Sequence, residues 1–242
     1  MPEKVMGVSF GDAHSYRDWG LKLKKIDIGL PEVKTEYVDI PGMNGSLDLT
    51  EAQNGGVKYG MRTLEFTFGV RNCSYQKWGS LISRIASDLH GVSKKIILDI
   101  DSGYYYTGRC SIDTEKTNDV TAEIVITCNC DPFKWSVATS EEAWKWDIFS
   151  FSSGVIRSTK DIAINASESS DSWQTVTLIG WKYNDTLKII SDSAMKVKYC
   201  NETHSIVAGE NIMYDIVLCE GKNELQFQGT GKVTMIYRGG ML

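Results

Sequence analysis

Three sets of residues carry side chains that do chemistry. His14 stands in Gly11-Asp12-Ala13-His14-Ser15, with an aspartate and a serine within two positions. Nucleophilic triads are set by geometry across a fold, not by proximity along the chain, so this cluster alone predicts no triad. Asp48 and Glu51 lie three apart in a glycine-studded stretch. They form an acid/base pair in principle, but loop carboxylates are mostly solvated and do structural work. Cys128 and Cys130 share one side of a strand, yet zinc sites space such ligands by two to four residues and supply a second pair. His90 closes a helical stretch, where the helix dipole favours a cation. No catalytic, cofactor-binding or metal-binding residue is expected, and no cofactor.

The glycines raise a separate possibility, a phosphate cradle. Gly42-Met43-Asn44-Gly45 and Gly55-Gly56 match neither the GxxxxGK[ST] loop nor a GxGxxG turn between strand and helix. The residues after Gly45 lead to another strand, so no helix N-terminus is offered to an anion. Glycine here supplies positive φ in turns.

The elements that position these residues read as mainly β. Leu64, Phe66, Phe68 and Val70 alternate with polar residues, which predicts a strand with one buried face. Trp78, Leu81, Ile82, Ile85 and Leu89 recur at helical spacing between Ser74 and Gly91 and predict one helix, with Ser74 or Asn72 capping its start. Strands are expected at 95–100 and 104–112, joined by Asp101-Ser102-Gly103, and at 120–130. A boundary follows Cys130-Asp131-Pro132-Phe133-Lys134-Trp135, giving domains 1–136 and 137–242. Beyond it, strands are expected at 155–158, 162–165, 175–179, 187–190, 195–199, 212–217, 223–227 and 232–238, which suits an antiparallel sandwich.

Composition narrows the function classes. The 242 residues are 42% hydrophobic and 24% charged, with a net charge of −5. A concentrated basic footprint for nucleic acid is lacking, although nucleic acid passing through a channel is compatible with this charge. No apolar leader and no run of eighteen apolar residues is visible, so neither a signal peptide nor a membrane span is expected. The six cysteines are scattered along the chain and read as reduced thiols. Aromatics are in surplus. Trp144, Trp146, Phe149 and Phe151 crowd the start of the second domain, and Trp173 and Trp181 follow. Core packing accounts for such residues, and an exposed tryptophan on a sheet is the alternative, as a sugar platform.

Three stretches resemble the distal tail proteins of long-tailed phages that infect Gram-positive bacteria, together with the related prophage tail family. They are FGDAHSYRDWGLKLKK, VDIPGMNGSLDLTEAQNGGVKYGMRTLEFTF and CDPFKW. The likeness spans residues 8 to 136. It implies an N-terminal β-sandwich or split-barrel belt domain that forms a hexameric ring at the tail tip, with a helix packed on it. It also implies a C-terminal galectin-like or carbohydrate-module-like β-sandwich. Such a protein is a structural, non-enzymatic virion hub at the phage tail tip, assembled in the bacterial host cytoplasm. Its partners would be further copies of itself, the tail tube protein, and a tail-associated lysin, fibre or receptor-binding protein. DNA would be only cargo through the pore, and no membrane is involved. On this reading the 41–60 loop is architecture. Asp39, Pro41, Gly42, Ser46, Asp48, Leu49, Glu51, Tyr59 and Arg62 belong to a subunit-interface element, with Arg62 a partner for Asp48 or Glu51. The alternative is a wall polysaccharide held by Trp144, Trp146, Trp173 or Trp181.

Overall fold

The computed structural model describes residues 6–52, 56–71, 74–116, 121–140, 159–167 and 172–242. The chain divides into two compact units, Met1–Lys134 and Trp135–Met241.

In the first unit the strands are β1 (Val8–Phe10), β2 (Ala13–His14), β3 (Lys22–Ile28), β4 (Val33–Lys34), β5 (Tyr37–Asp39), β6 (Ser46–Asp48), β7 (Lys58–Tyr59), β8 (Arg62–Arg71), β9 (Ser93–Leu98), β10 (Tyr104–Glu115) and β11 (Thr121–Cys130). Antiparallel pairing gives the order β2-β1-β9-β10-β11-β8-β3. On a flat sheet the four spacings from β1 to β8 would separate them by about 19 Å. The Phe10 and Phe66 rings nevertheless meet edge to face at 5.8 Å. The sheet therefore curls around its own apolar face, helped by a register shift at Leu23/Lys25 in β3.

The core follows from the period-two pattern. Leu64, Phe66 and Phe68 of β8 lie beside Ile124, Ile126 and Cys128 of β11, all fully buried. The one α-helix among the described residues, α1 (Tyr75–Leu89), closes this core with Ile85 and Leu89, and Trp78, Leu81 and Ile82 pack at its edge. Ser74 takes the N-cap position, and Gly91 follows the helix at φ +76°. After β9 the chain makes a single 3-10 turn over Asp99–Asp101 before β10.

Lys134–Ser136 (β12) lies at the division between the units. The second unit contains β13 (Ile162–Ala166), β14 (Gln174–Gly180), β15 (Tyr183–Asn184), β16 (Leu187–Ser191), β17 (Met195–Tyr199), β18 (Glu202–Ile206), β19 (Gly209–Met213), β20 (Gly221–Ile236) and β21 (Gly239–Met241). β20 organises it. Its first half pairs with β14 and β17, and its second half with β13 and β16. One strand thus serves both layers of a sandwich. The transfer occurs at Gly229 and Gly231, with φ of +145° and +151°. A Cβ at Gly231 would sit 2.1 Å from Asp192 Oδ1, so only glycine fits. Leu225, Phe227, Val233 and Met235 project from β20 into the shared core.

The sequence splits β20 into two strands at 223–227 and 232–238, because the glycines between them read as a turn. The strand expected at 212–217 lies earlier, at Gly209–Met213, and β18 has no counterpart among the expected strands. The strand expected at 155–158 lies outside the described residues. Among the described residues, no helix is long and apolar enough to cross a membrane.

Candidate functional site

The segment between β3 and β8 leaves the curled sheet as a two-stranded arm. β4 pairs with β7 near its base, and β5 pairs with β6 farther out. Between these ladders the Leu49 N–H donates to the Glu36 carbonyl at 2.8 Å, and at the base the Gly60 N–H donates to Glu32 O at 2.7 Å. Beyond β5 the Met43 N–H closes a turn on the Ile40 carbonyl at 3.1 Å. Pro41 fills its second position and Gly42, at φ +86°, its third, which is the residue order of a type II turn.

The arm's chemistry is apolar and outward. Leu30 is 80% exposed, Tyr37 60% and Met43 48%, and Val38 and Leu47, which face each other across the ladder, are 41% each. Among the described residues from 27 to 63, no hydrophobic side chain belongs to the hydrophobic core cluster of its unit, although Pro31 and Arg62 are buried. A free two-stranded ribbon is marginal in water, and apolar side chains gathered on one projection make it a candidate interaction surface.

The polar residues of the arm hold its own backbone. Asp48 accepts from the Thr50 N–H at 2.9 Å, and the Thr50 side chain and amide together hold its carboxyl below the usual range. A carboxylate kept ionised is a poor general acid. The Thr50 hydroxyl also accepts from the Glu36 N–H at 3.1 Å, and the Ser46 hydroxyl donates to Asp39 at 2.5 Å. Asp39, Pro41, Gly42, Ser46, Asp48 and Glu51 are exposed on the arm, while Leu49 and Tyr59 are half-buried. The Tyr59 ring meets Phe133 edge to face at 5.9 Å.

Arg62 does not share that surface. It is 2% exposed and continues the inward row of Leu64 and Phe66 in β8, opposite Cys130. Its guanidinium lies over the Tyr106 ring, 5.4 Å from the centroid, and Nε and Nη1 have no hydrogen-bond partner. The structure therefore does not bring Arg62 to Asp48 or Glu51. The physical reason is strand parity: Arg62 has the same orientation as the core residues that follow it. Burial raises the Tyr106 phenol, a shift that the Lys134 and Arg62 cations oppose.

The remaining candidates serve structure. His14 is buried, and its Nδ1 accepts from the Tyr16 and Arg17 amides at 3.1 Å each. Nε2 therefore carries the proton and faces Asp99 at 3.3 Å. The Ser15 hydroxyl accepts from the Val8 N–H at 2.9 Å, so this histidine has no nitrogen left to activate a serine. Gly7-Val8-Ser9-Phe10-Gly11 spells the GxSxG letters of a nucleophile elbow. Ser9, however, sits inside β1, paired with His14 on one side and Ile97 on the other, and not at a strand-to-helix turn. Met61, His90, Arg109 and Ser111 border an open depression of about 380 Å³, where the His90 Nδ1 accepts from the Ile112 N–H at 3.3 Å. Among the described residues, no group of three or more His, Cys, Asp or Glu is arranged to hold a metal.

Cys128 and Cys130 both point inward, and Cys110 of β10 joins them, a neighbour that only strand register reveals. Cys110 shares a hydrogen bond with Cys128, and this, with burial, pushes the Cys128 thiol up. Burial pushes Cys130 up to about 12. Trp181 is half-buried, with its ring 5.6 Å from Tyr237, and Trp173 is half-buried ahead of β14. Trp144 and Trp146 lie outside the described residues.

No protein-family model matches the chain, and no curated protein sequence does. Among solved structures it is similar to the crystal structure of SPP1 Dit (gp 19.1), described as a paradigm of the hub adsorption apparatus in phages that infect Gram-positive bacteria. The superposition covers 99% of this chain and 100% of that one, with a TM-score of 0.59 and 11% sequence identity. At that identity the shared property is the fold, which in this chain is mainly β with one α-helix among the described residues.

Proposed function

We propose that this protein is a structural component of a phage tail tip, a distal-tail-type hub whose copies close into a hexameric ring through the 30–60 arm. One observation carries the reading: an arm whose apolar side chains are exposed and lie outside its unit's hydrophobic core cluster. Identical subunits arranged head to tail need two different complementary patches, and an arm that reaches a neighbour provides one of them. Its exposed strand edges add affinity by backbone pairing. The fold it shares with SPP1 Dit over the whole chain supports the same assignment.

In this role the chain does no bond-breaking. It would join the tail tube protein to a tail-associated lysin, fibre or receptor-binding protein, with DNA passing through the pore as cargo. The second unit would be the docking platform for host recognition. The test is the mass of the full chain by size-exclusion chromatography with light scattering, across a concentration series and with purified tail tube protein, alongside negative-stain images. Six-fold rings with a central hole are the expected result. A chain that stays monomeric at every concentration, alone and with the tube protein, overturns the proposal.

A further inference from the structure

We propose that Cys110 and Cys128 are an oxidisable thiol pair that closes to a cross-strand disulfide inside the sheet of the first unit. The two cysteines stand directly opposite each other in β10 and β11. The Cys110 N–H donates to the Val92 carbonyl at 3.1 Å, and its own carbonyl accepts from the Gly91 N–H at 2.8 Å. Both backbone groups of Cys110 thus turn away from β11. The Cys110–Cys128 pair is therefore of the non-hydrogen-bonded kind, in which antiparallel strands bring Cα atoms to about 4.5 Å. That separation lies within the range a disulfide spans without backbone movement.

The side chains agree with the backbone. The two Sγ atoms are 2.7 Å apart, and the residues are 1% and 0% exposed. Cys130, two residues along on the same face, directs its thiol at the Cys128 carbonyl at 3.6 Å and lies against Gly108, whose missing side chain leaves it room. The geometry thus selects one partner of two for Cys110.

A low-molecular-weight disulfide such as oxidised glutathione balances the chemistry. One cysteine thiolate attacks it, forms a mixed disulfide and releases one glutathione. The second cysteine attacks the protein-side sulfur of that bond and releases the other glutathione. The pair loses two electrons, the glutathione disulfide gains them, and the two thiol protons end on the released glutathiones. Because both sulfurs are buried, exchange proceeds while β10 and β11 open. This inference stands independently of the proposed tail role.

The test uses the full reduced chain, held in oxidised glutathione just below its unfolding midpoint, then cooled, alkylated and digested with trypsin without reduction. Cleavage after Arg109 and Lys116 isolates Cys110 in the 110–116 peptide and places Cys128 and Cys130 together in 117–134. The expected product joins these two peptides, and fragmentation at Asn129 assigns the bond to Cys128 and leaves Cys130 alkylated. The oxidised chain should unfold about 10 °C above the reduced one, as the bond removes loop-closure entropy from the unfolded chain and the geometry is native. Free thiols at both positions, a Cys110–Cys130 bond, a glutathione adduct alone, or a linked chain with a lowered midpoint would each overturn the proposal.

Discussion

Replacing Val38 and Leu47 together by threonine tests the arm directly. The two residues face each other across the β5–β6 ladder, and each is 41% exposed in the subunit. Fully burying such a side chain stabilises by about 1.5–3 kcal/mol, so covering the exposed share yields about 1 kcal/mol for each, or about 2 kcal/mol per interface. A ring of six has six such interfaces and forms in five association steps. The double substitution should therefore raise the concentration at which half the subunits are in rings by about 60-fold. Threonine keeps the β-branched backbone preference, and exposed positions change subunit stability by about 0.5 kcal/mol or less. Light scattering over a dilution series reads the ring, and circular dichroism melts read the subunit. A ring midpoint moved by less than about fivefold would refute the energetic reasoning. A melt that falls together with the ring would refute the claim that the arm is independent of the core.

Three substitutions probe the units themselves. Arg62→Met removes a buried guanidinium with two unpartnered nitrogens, at the loss of its contact with Tyr106. Denaturant titration should find the variant at least as stable as the parent, by up to about 1–4 kcal/mol more; a loss beyond about 1 kcal/mol would mean that the stacking on Tyr106 outweighs the buried charge. Gly231→Ala forces a Cβ against Asp192 and Ser193 at a positive φ and should cost about 3 kcal/mol, read as early melting of the second unit. Burial lifts the Asp185 carboxyl above its ordinary 3.8, so at neutral pH the folded state carries an unfavourable ionised group. That cost falls as pH drops through the lifted value and is gone below 3.8, where Asp185 is protonated folded and unfolded alike. Asp185→Asn keeps an acceptor for the Arg238 N–H, so it should be more stable than the parent at pH 7 and equal to it in acid; a gap that stays constant with pH would overturn this sign.

The elements legible in the sequence are those whose cause is local. Alternation over Leu64–Val70 gave the buried strand because every residue in it obeys one face rule. The spacing from Trp78 to Leu89 gave the helix within one residue of its observed start. Register is different. That Cys110 faces Cys128 depends on the length of the connection between β10 and β11, which periodicity does not encode. Arg62 shows the same limit: a charged residue at the end of an apolar row reads as the start of solvent, yet the curled sheet closes over it. The split of β20 had a third cause. Gly229 and Gly231 look like punctuation, but in a sandwich corner glycine lets a strand continue from one layer to the other.

An exposed arm of this kind is a liability for a monomer. Its strand edges and its apolar face invite pairing with any extended chain, and soluble proteins commonly blunt such edges with charge, bulges or a covering element. Val38, Ile40 and Leu47 are instead left uncovered, and Asp39, Ser46, Asp48 and Thr50 act on the arm's own backbone and side chains. The polar residues therefore preserve the arm's shape while the apolar ones remain available. An arm that was shaped but had nothing to cover would gain no stability from those apolar residues. The arrangement is favourable only where a second surface completes it, and in the proposed ring that surface belongs to another copy of the same chain.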